Sequence, residues 1–171
     1  MKLEFKSEIQ KELVFEHIAD YLHHQNLRVK AQDNTRPWGG FFVIDEQDTE
    51  KFIGLYFSHL KPDALKISGK LSPKILVVAP EKRLSWQYHH RRAETWKLIG
   101  GTAAVVTSNT DKEKETRHVK IGDTIQLKQG ERHRLVGLEG WGIVAEIWQH
   151  TDPANPSDEN DIVRLQDDFG R

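Results

Sequence analysis

From Phe41 onward the chain is a succession of short apolar runs, each too short for an ordinary helix and each bounded by Gly, Pro or polar turns. They are Phe41 to Ile44, Phe52 to Phe57, Ile75 to Val78, Leu84 to Tyr88, Thr95 to Ile99, Ala103 to Thr107, His118 to Ile121, Thr124 to Leu127, His133 to Val136 and Ile143 to Trp148. Strands at this spacing predict a mainly β fold, a sandwich or closed barrel. Gly100 and Gly101 are expected to close one strand, and the apolar-free stretch Ser108 to Thr116 reads as an exposed hairpin tip. Ahead of the β-rich region, Ile9, Leu13, Phe15, Ile18, Ala19 and Leu22 recur at mostly three- and four-residue spacing, which predicts one amphipathic helix from Ser7 to about His24. Ser7 with Gln10 would form a capping box, and Asn26 would end the helix. The division expected is a helical extension over residues 1–35 and a β domain over residues 36–171.

Charge and composition remove several classes of function. With 25 basic and 26 acidic residues the chain lacks the positive field of a nucleic-acid binder. It has no cysteine, so disulfides, thiolate metal sites and a cysteine nucleophile all fall away, and any metal must be held by nitrogen and oxygen. Charges scattered through the first seventeen residues leave no apolar core for a signal peptide or membrane span. A cytosolic protein without a membrane partner is therefore expected.

The chemistry concentrates in Leu84-Ser85-Trp86-Gln87-Tyr88-His89-His90-Arg91-Arg92-Ala93-Glu94-Thr95-Trp96. Side chains alternate along a strand, so Gln87 and His89 share a face. The residues from His90 to Ala93 can turn the chain and bring Glu94, at the start of the next strand, back toward His89. A later strand, turn and strand deliver His133. Two imidazoles, a carboxylate and an amide oxygen suit Zn²⁺, Fe²⁺, Co²⁺ or Mn²⁺ and leave positions open for a substrate. The remaining histidines, His17, His23, His24, His59, His90, His118 and His150, are read as ordinary surface or core residues.

These residues resemble the first motif of the cupin family, His-x-His, three or four residues, Glu, six residues, Gly. His89, Glu94 and Gly101 match its spacing, with Gln87 in place of the first His. Gln-x-His followed by Arg92-Ala93-Glu94-x-Trp96 is similar to the cupin domain of type II phosphomannose isomerases. Arg36-Pro37-Trp38-Gly39, Gly122-Asp123, His133-Arg134-Leu135, Asp161-Ile162-Val163-Arg164 and Asp167-Asp168-Phe169-Gly170-Arg171 agree with that domain in order. The sequence departs from the pattern at Glu81, where the motif usually has Gly, at Lys128 for Pro and at Gly137 for Asn. It also has Glu146-Ile147-Trp148 where Glu-Val-Gln is common.

The resemblance implies a cupin double-stranded β-helix with one divalent ion, zinc first among the metals named, and isomerisation of a sugar phosphate. Mannose 6-phosphate with fructose 6-phosphate is the simplest pair. Within that scheme Arg92 is expected at the pocket mouth, assisting turnover without being a ligand. Glu146 and Lys74 are the candidates for the proton-transferring base, and Arg36 and Arg164 for binding phosphate. Trp38 and Trp96 are assigned to the core. A homodimer is expected because the helix has an apolar stripe to bury and small barrels expose sheet edges. The alternatives are an isomerase for another sugar phosphate such as a heptose phosphate, or a noncatalytic metal-containing cupin that binds a carbohydrate or small acid. The chain as given lacks the glycine-rich nucleotidyltransferase region that precedes this cupin in bifunctional enzymes, so sugar-nucleotide synthesis is not expected.

Overall fold

The computed structural model describes residues 2–61 and 70–171. Helix α1 (Lys11–His24) leads into strands β1 (Val29–Asp33) and β2 (Gly39–Ile44), then a 3₁₀ turn and helix α2 (Thr49–Tyr56). Strands β3 (Lys74–Val78), β4 (Trp86–Tyr88), β5 (Arg92–Ser108), β6 (Arg117–Val119), β7 (Thr124–Leu127), β8 (Arg132–His150) and β9 (Val163–Gln166) follow. The order β1-β2-β3-β8-β4-β9 runs through a curled sheet to which β5 attaches on β8, with β6 and β7 paired to β5. The result is the mainly β, double-stranded β-helix of a cupin, with an N-terminal amphipathic helix.

Two long strands make the curl possible. The first half of β5 pairs with β7 and the second half with β6, while β8 runs antiparallel along nearly all of β5. The other edge of β8 takes β4 at one end and β3 at the other. Register shifts on either side of Gly100 and Gly101 let β5 bend, so these glycines carry the strand through a corner instead of closing it. Gly101 sits at φ +65°, and a Cβ there would lie 1.7 Å from the carbonyl oxygen of Trp141. Gly101→Ala is therefore expected to cost about 2–3 kcal/mol and lower Tm by several degrees in a thermal melt. An unchanged melt would show that the corner can relax.

Strand alternation produces two cores. Leu76, Val78, Trp96, Leu98, Leu135 and Val144 point into the barrel. Ile75, Val77, Ile143, Ala145 and Ile147 point outward, where Val14, Phe15, Ile18 and Leu22 of α1 and Phe52, Ile53 and Tyr56 of α2 cover them. All five residues of β3 are buried, which is why it reads as a continuous apolar run. Most of the α1 stripe is thus buried on its own barrel, and Leu13 is left exposed.

Several local expectations change. The run expected as a strand from Phe52 to Phe57 is helix as far as Tyr56: Phe52, Ile53 and Tyr56 fall on one helical face, and a run this short cannot settle its own period. The capping box does not form, because Ser7 lies in a turn closed by Ile9 N–H to the Lys6 carbonyl, and α1 starts only at Lys11 with no side-chain cap. Asn26 does end α1. It adopts φ 55°, with Asn26 N–H bonded to His23 and Leu27 N–H to Leu22, a Schellman arrangement. Glu81, where the family motif has Gly, takes φ 57°, so the left-handed position persists without the residue suited to it. At Gly137, a Cβ would meet the Ala79 carbonyl oxygen at 2.0 Å, which excludes the usual Asn from this backbone.

Candidate functional site

The mouth of the barrel opens onto a cavity of about 590 Å³, and every residue singled out above for chemistry lies on its wall or at its base. At the base, His89 follows β4, Glu94 stands near the start of β5 and His133 near the start of β8. Their candidate ligand atoms all lie within 4.8 Å of one another, and all three residues are buried. Gln87 on β4 pairs directly with His133 on β8, and its side chain lines the cavity with its Oε1 accepting from Ser85 Oγ at 2.6 Å.

Backbone carbonyls determine the histidine tautomers. His89 Nδ1 donates to the Asp161 carbonyl at 2.5 Å, and His133 Nδ1 donates to the Glu131 carbonyl at 2.9 Å. A carbonyl can only accept, so each Nδ1 carries the proton and each Nε2 presents a lone pair. Burial lowers the His89 pKa, and Arg92 and His133 add to the effect against Glu94, which keeps the ring neutral. Burial favours the protonated acid at Glu94, but the Arg92 guanidinium paired with it opposes this and holds the carboxyl well below its usual range.

The cluster is therefore acceptor facing acceptor. His133 Nε2 lies 3.4 Å from Glu94 Oε2, and both atoms are buried with no hydrogen-bond partner. His89 Nε2 lies 3.2 Å from Glu94 Oε1. Buried acceptors without donors are costly, and a cation bound among them removes the cost. Two neutral imidazoles and a carboxylate suit zinc and its neighbours, so these residues fit the metal that the family resemblance implies.

Arg92 is placed differently from the expectation. It is 5% exposed and lies beside the cluster, not at the mouth. Nε donates to Glu94 Oε1 at 2.7 Å, Nη2 to His89 Nε2 at 3.2 Å and Nη1 to Ser157 Oγ at 2.8 Å, while the guanidinium stacks 3.6 Å from the Trp148 ring centre. The local reason is that Arg92 already belongs to β5 and alternates inward with Glu94.

Glu146 and Lys74 face each other across β8 and β3. Burial and the nearby Glu94 raise the Glu146 pKa to about 7, against Lys74, Arg92 and a 3.0 Å hydrogen bond from Trp96 Nε1. The Lys74 ammonium is buried over Trp148 and ion-paired with Glu159. Trp38 and Trp96 are core residues as expected, although both also touch the cavity.

A raised carboxyl pKa makes a stability prediction. The folded state holds its proton up to about pH 7 and the unfolded state only to about 4.5, so this stabilisation is present below pH 4.5 and lost as pH rises to 7. In metal-free protein, the stability of the parent relative to Glu146→Gln should fall by up to about 3 kcal/mol across that window. Parallel denaturation curves for the two proteins would remove the assignment.

Arg36, on the turn between β1 and β2, and Arg164, on β9, line the same cavity. Sequence reasoning did not assign site roles to Arg171, Ser157 or Asp161. Arg171 also lines the cavity. Besides holding His89 through its carbonyl, Asp161 accepts at its carboxylate from His90 N–H and Arg91 N–H at 2.9 Å and from Ser157 Oγ at 2.6 Å. The only sequence signal for it was its place in the Asp-Ile-Val-Arg motif. No helix among the described residues is long and apolar enough to cross a membrane.

Known proteins agree with this architecture. Mannose-1-phosphate guanylyltransferase ManC of Salmonella typhimurium is 29% identical over 111 residues, which are 65% of this chain and 22% of that protein. Alginate biosynthesis protein AlgA of Pseudomonas aeruginosa is 29% identical over 127 residues, 72% of this chain and 24% of that protein. The chain thus spans about a quarter of the length of these relatives. Among solved structures, the capsular polysaccharide assembling protein CapF of Staphylococcus aureus aligns over 82% of this chain and 34% of its own, with TM-score 0.51 and 14% identity. Recombinant oxalate oxidase in complex with glycolate aligns over 80% of this chain and 60% of its own, with TM-score 0.52 and 18% identity. At those identities the two structures speak for the fold alone. The model of the mannose-6-phosphate isomerase C-terminal family matches residues 50–167, and with most of the sequence inside that match the chain belongs to this family.

Proposed function

We propose that this chain is a divalent-metal-dependent aldose–ketose isomerase for a sugar phosphate, most simply interconverting mannose 6-phosphate and fructose 6-phosphate. The observation that carries the reading is one cavity joining a His–Glu–His cluster, in which the buried acceptors Glu94 Oε2 and His133 Nε2 have no donor, to a buried carboxyl that titrates near neutrality. Gln87, His89, Glu94 and His133 would hold the ion. When bound, a cation such as zinc supplies positive charge that stabilises the oxygens of an enediolate. Glu146 is suited to take a proton from one carbon and return it to the next, since both of its forms are accessible near pH 7. Lys74 opposes the rise in the Glu146 pKa, so we assign it to tuning that carboxyl and not to acting as the base. Arg92 offers a fixed guanidinium beside the cluster, and the Trp148 and Phe41 rings wall the cavity against water. The names of the family and of the guanylyltransferase relative both point to mannose phosphates.

The test is a coupled assay on purified protein supplied with zinc, manganese or cobalt, against a panel of hexose and heptose phosphates. Turnover of mannose 6-phosphate that disappears on chelation and returns with metal is the expected result. No turnover of any member with any metal would leave a binding module in place of the isomerase.

A further inference from the structure

The buried lysine of the cavity wall has a counter-ion that does not need it. Lys74 reaches the cavity from β3 with its side chain 6% exposed, yet its ammonium is ion-paired with Glu159, whose side chain is 68% exposed. The ammonium also lies 4.0 Å from the Trp148 ring centre and 5.3 Å from that of Phe41. Those rings keep water from the cation and offer it their π faces in return. Glu146 sits directly across the strands from Lys74, but the carboxylate within ion-pairing reach is that of Glu159. Breaking this pair is one-sided. Glu159 returns to solvent, where an exposed carboxylate loses little, whereas Lys74 is left as a buried charge without an anion.

The backbone that carries Glu159 is held on both sides. Asn160 N–H donates to Asp158 Oδ1 at 2.8 Å and Asp161 N–H to the Asp158 carbonyl at 3.2 Å, which closes a tight turn with Glu159 at its tip. Arg92 Nη1 donates to the Asp158 carbonyl at 3.0 Å on one side, and on the other the Asp161 carboxylate accepts from His90 N–H and Arg91 N–H. With the main chain fixed, the part left to move is the Glu159 side chain, which can swing to another rotamer about its own single bonds. The place it vacates lies on the cavity wall beside Lys74. A carboxylate fits there, because a carboxylate fills it.

We infer that Lys74 is a carboxylate-binding site whose resident occupant is Glu159, and that a small acid enters the cavity by displacing Glu159 into solvent. A cavity of about 590 Å³ leaves room for a body attached to that carboxylate, and Ser85, Gln87 and Asn160 on its wall offer hydrogen bonds to hydroxyl groups. The ligand class is therefore a sugar acid or another small hydroxy acid. Neither a metal ion nor turnover is needed for this exchange, so it stands apart from the isomerase reading. A built-in occupant lowers the apparent affinity by the fraction of time it leaves the site open, and a site open about a tenth of the time binds about tenfold more weakly.

The experiment is titration calorimetry of the full chain, without added metal, with gluconate as the acid and sorbitol as its neutral control. Glu159→Gln is expected to tighten gluconate roughly tenfold and to leave sorbitol unchanged. Glu159→Asp separates contact from charge: it keeps the negative charge on the turn but is one methylene shorter, so it should tighten gluconate nearly as much as the glutamine does. In a Lys74→Met background gluconate should bind weakly, and adding Glu159→Gln should change nothing further. Gluconate bound no more tightly by Glu159→Gln than by the parent would overturn the inference. So would tightening by Glu159→Gln that Glu159→Asp fails to reproduce, since the glutamate would then act through its field and not as a displaced occupant. Should Lys74→Met fail to fold, the glutamine and aspartate variants decide the matter between them. The expected gluconate pattern without turnover of any sugar phosphate would support the site while removing the isomerase, and turnover with gluconate indifferent to Glu159 would do the reverse.

Discussion

His133→Ala and His89→Ala are each expected to weaken zinc binding on the order of a thousandfold, about 4 kcal/mol, measured by competition with a chromogenic chelator. The two imidazoles are not placed by surface chance. Each has its Nδ1 proton committed to a backbone carbonyl, which aims the Nε2 lone pair at Glu94 and fixes the ring before any ion arrives. Removing either ring takes away a ligand and opens the buried carboxylate to water. The metal-free proteins should react in the opposite direction. Buried acceptor faces buried acceptor in the parent cluster, so His133→Ala relieves part of that conflict and costs less stability than the same truncation in a satisfied network. Glu94→Gln keeps the shape but loses the charge, and it too should bind zinc far more weakly. Full metal occupancy in the double histidine variant would refute the site.

Much of this site was legible because its chemistry is local. Gln87, His89, Arg92 and Glu94 lie on the successive strands β4 and β5 and the short connection between them, where alternation and that connection are enough to bring them together. His133 was legible because a glycine turn hands the chain back to the same face. The barrel strands with an inward apolar row also read correctly, as in β3 and both halves of β8. Their continuity did not, since Gly100 and Gly101 look like a stop and act as a corner. Strands β1 and β9 escaped notice because both are exposed edges rich in polar residues, recruited by a neighbour's hydrogen bonds and not by burial. Helix α2 was misread because Phe52 to Phe57 suits either period, and only the tertiary core beneath it decides. Asp161 was out of reach for another reason. It meets His89 across 72 residues of chain, and no local pattern encodes a carbonyl contact at that separation.

Arg92→Ala is expected to lower turnover on the order of a hundredfold or more while binding zinc at least as tightly as the parent. This follows from what the guanidinium touches. Nη2 donates to His89 Nε2, the lone pair an ion needs, and Nε neutralises Glu94. Arginine and metal therefore compete for part of the same acceptor set, and removing the arginine leaves those acceptors to the ion. The metal-free variant should suffer instead. Loss of one partner from a buried ion pair typically costs about 3–5 kcal/mol, and here it leaves Glu94 at 3% exposure without its strongest donor. Zinc should restore most of that loss, so the gain in Tm on adding metal should be larger in Arg92→Ala than in the parent. Arg92→Lys separates charge from geometry: an ammonium can still neutralise Glu94, but it cannot keep the fork to Ser157 and the stack on Trp148 together. Lysine should therefore recover apo stability more fully than turnover. Weaker zinc binding in Arg92→Ala would mean that the arginine holds Glu94 and His89 in place for the ion, and a turnover equal to the parent's would remove it from the reaction.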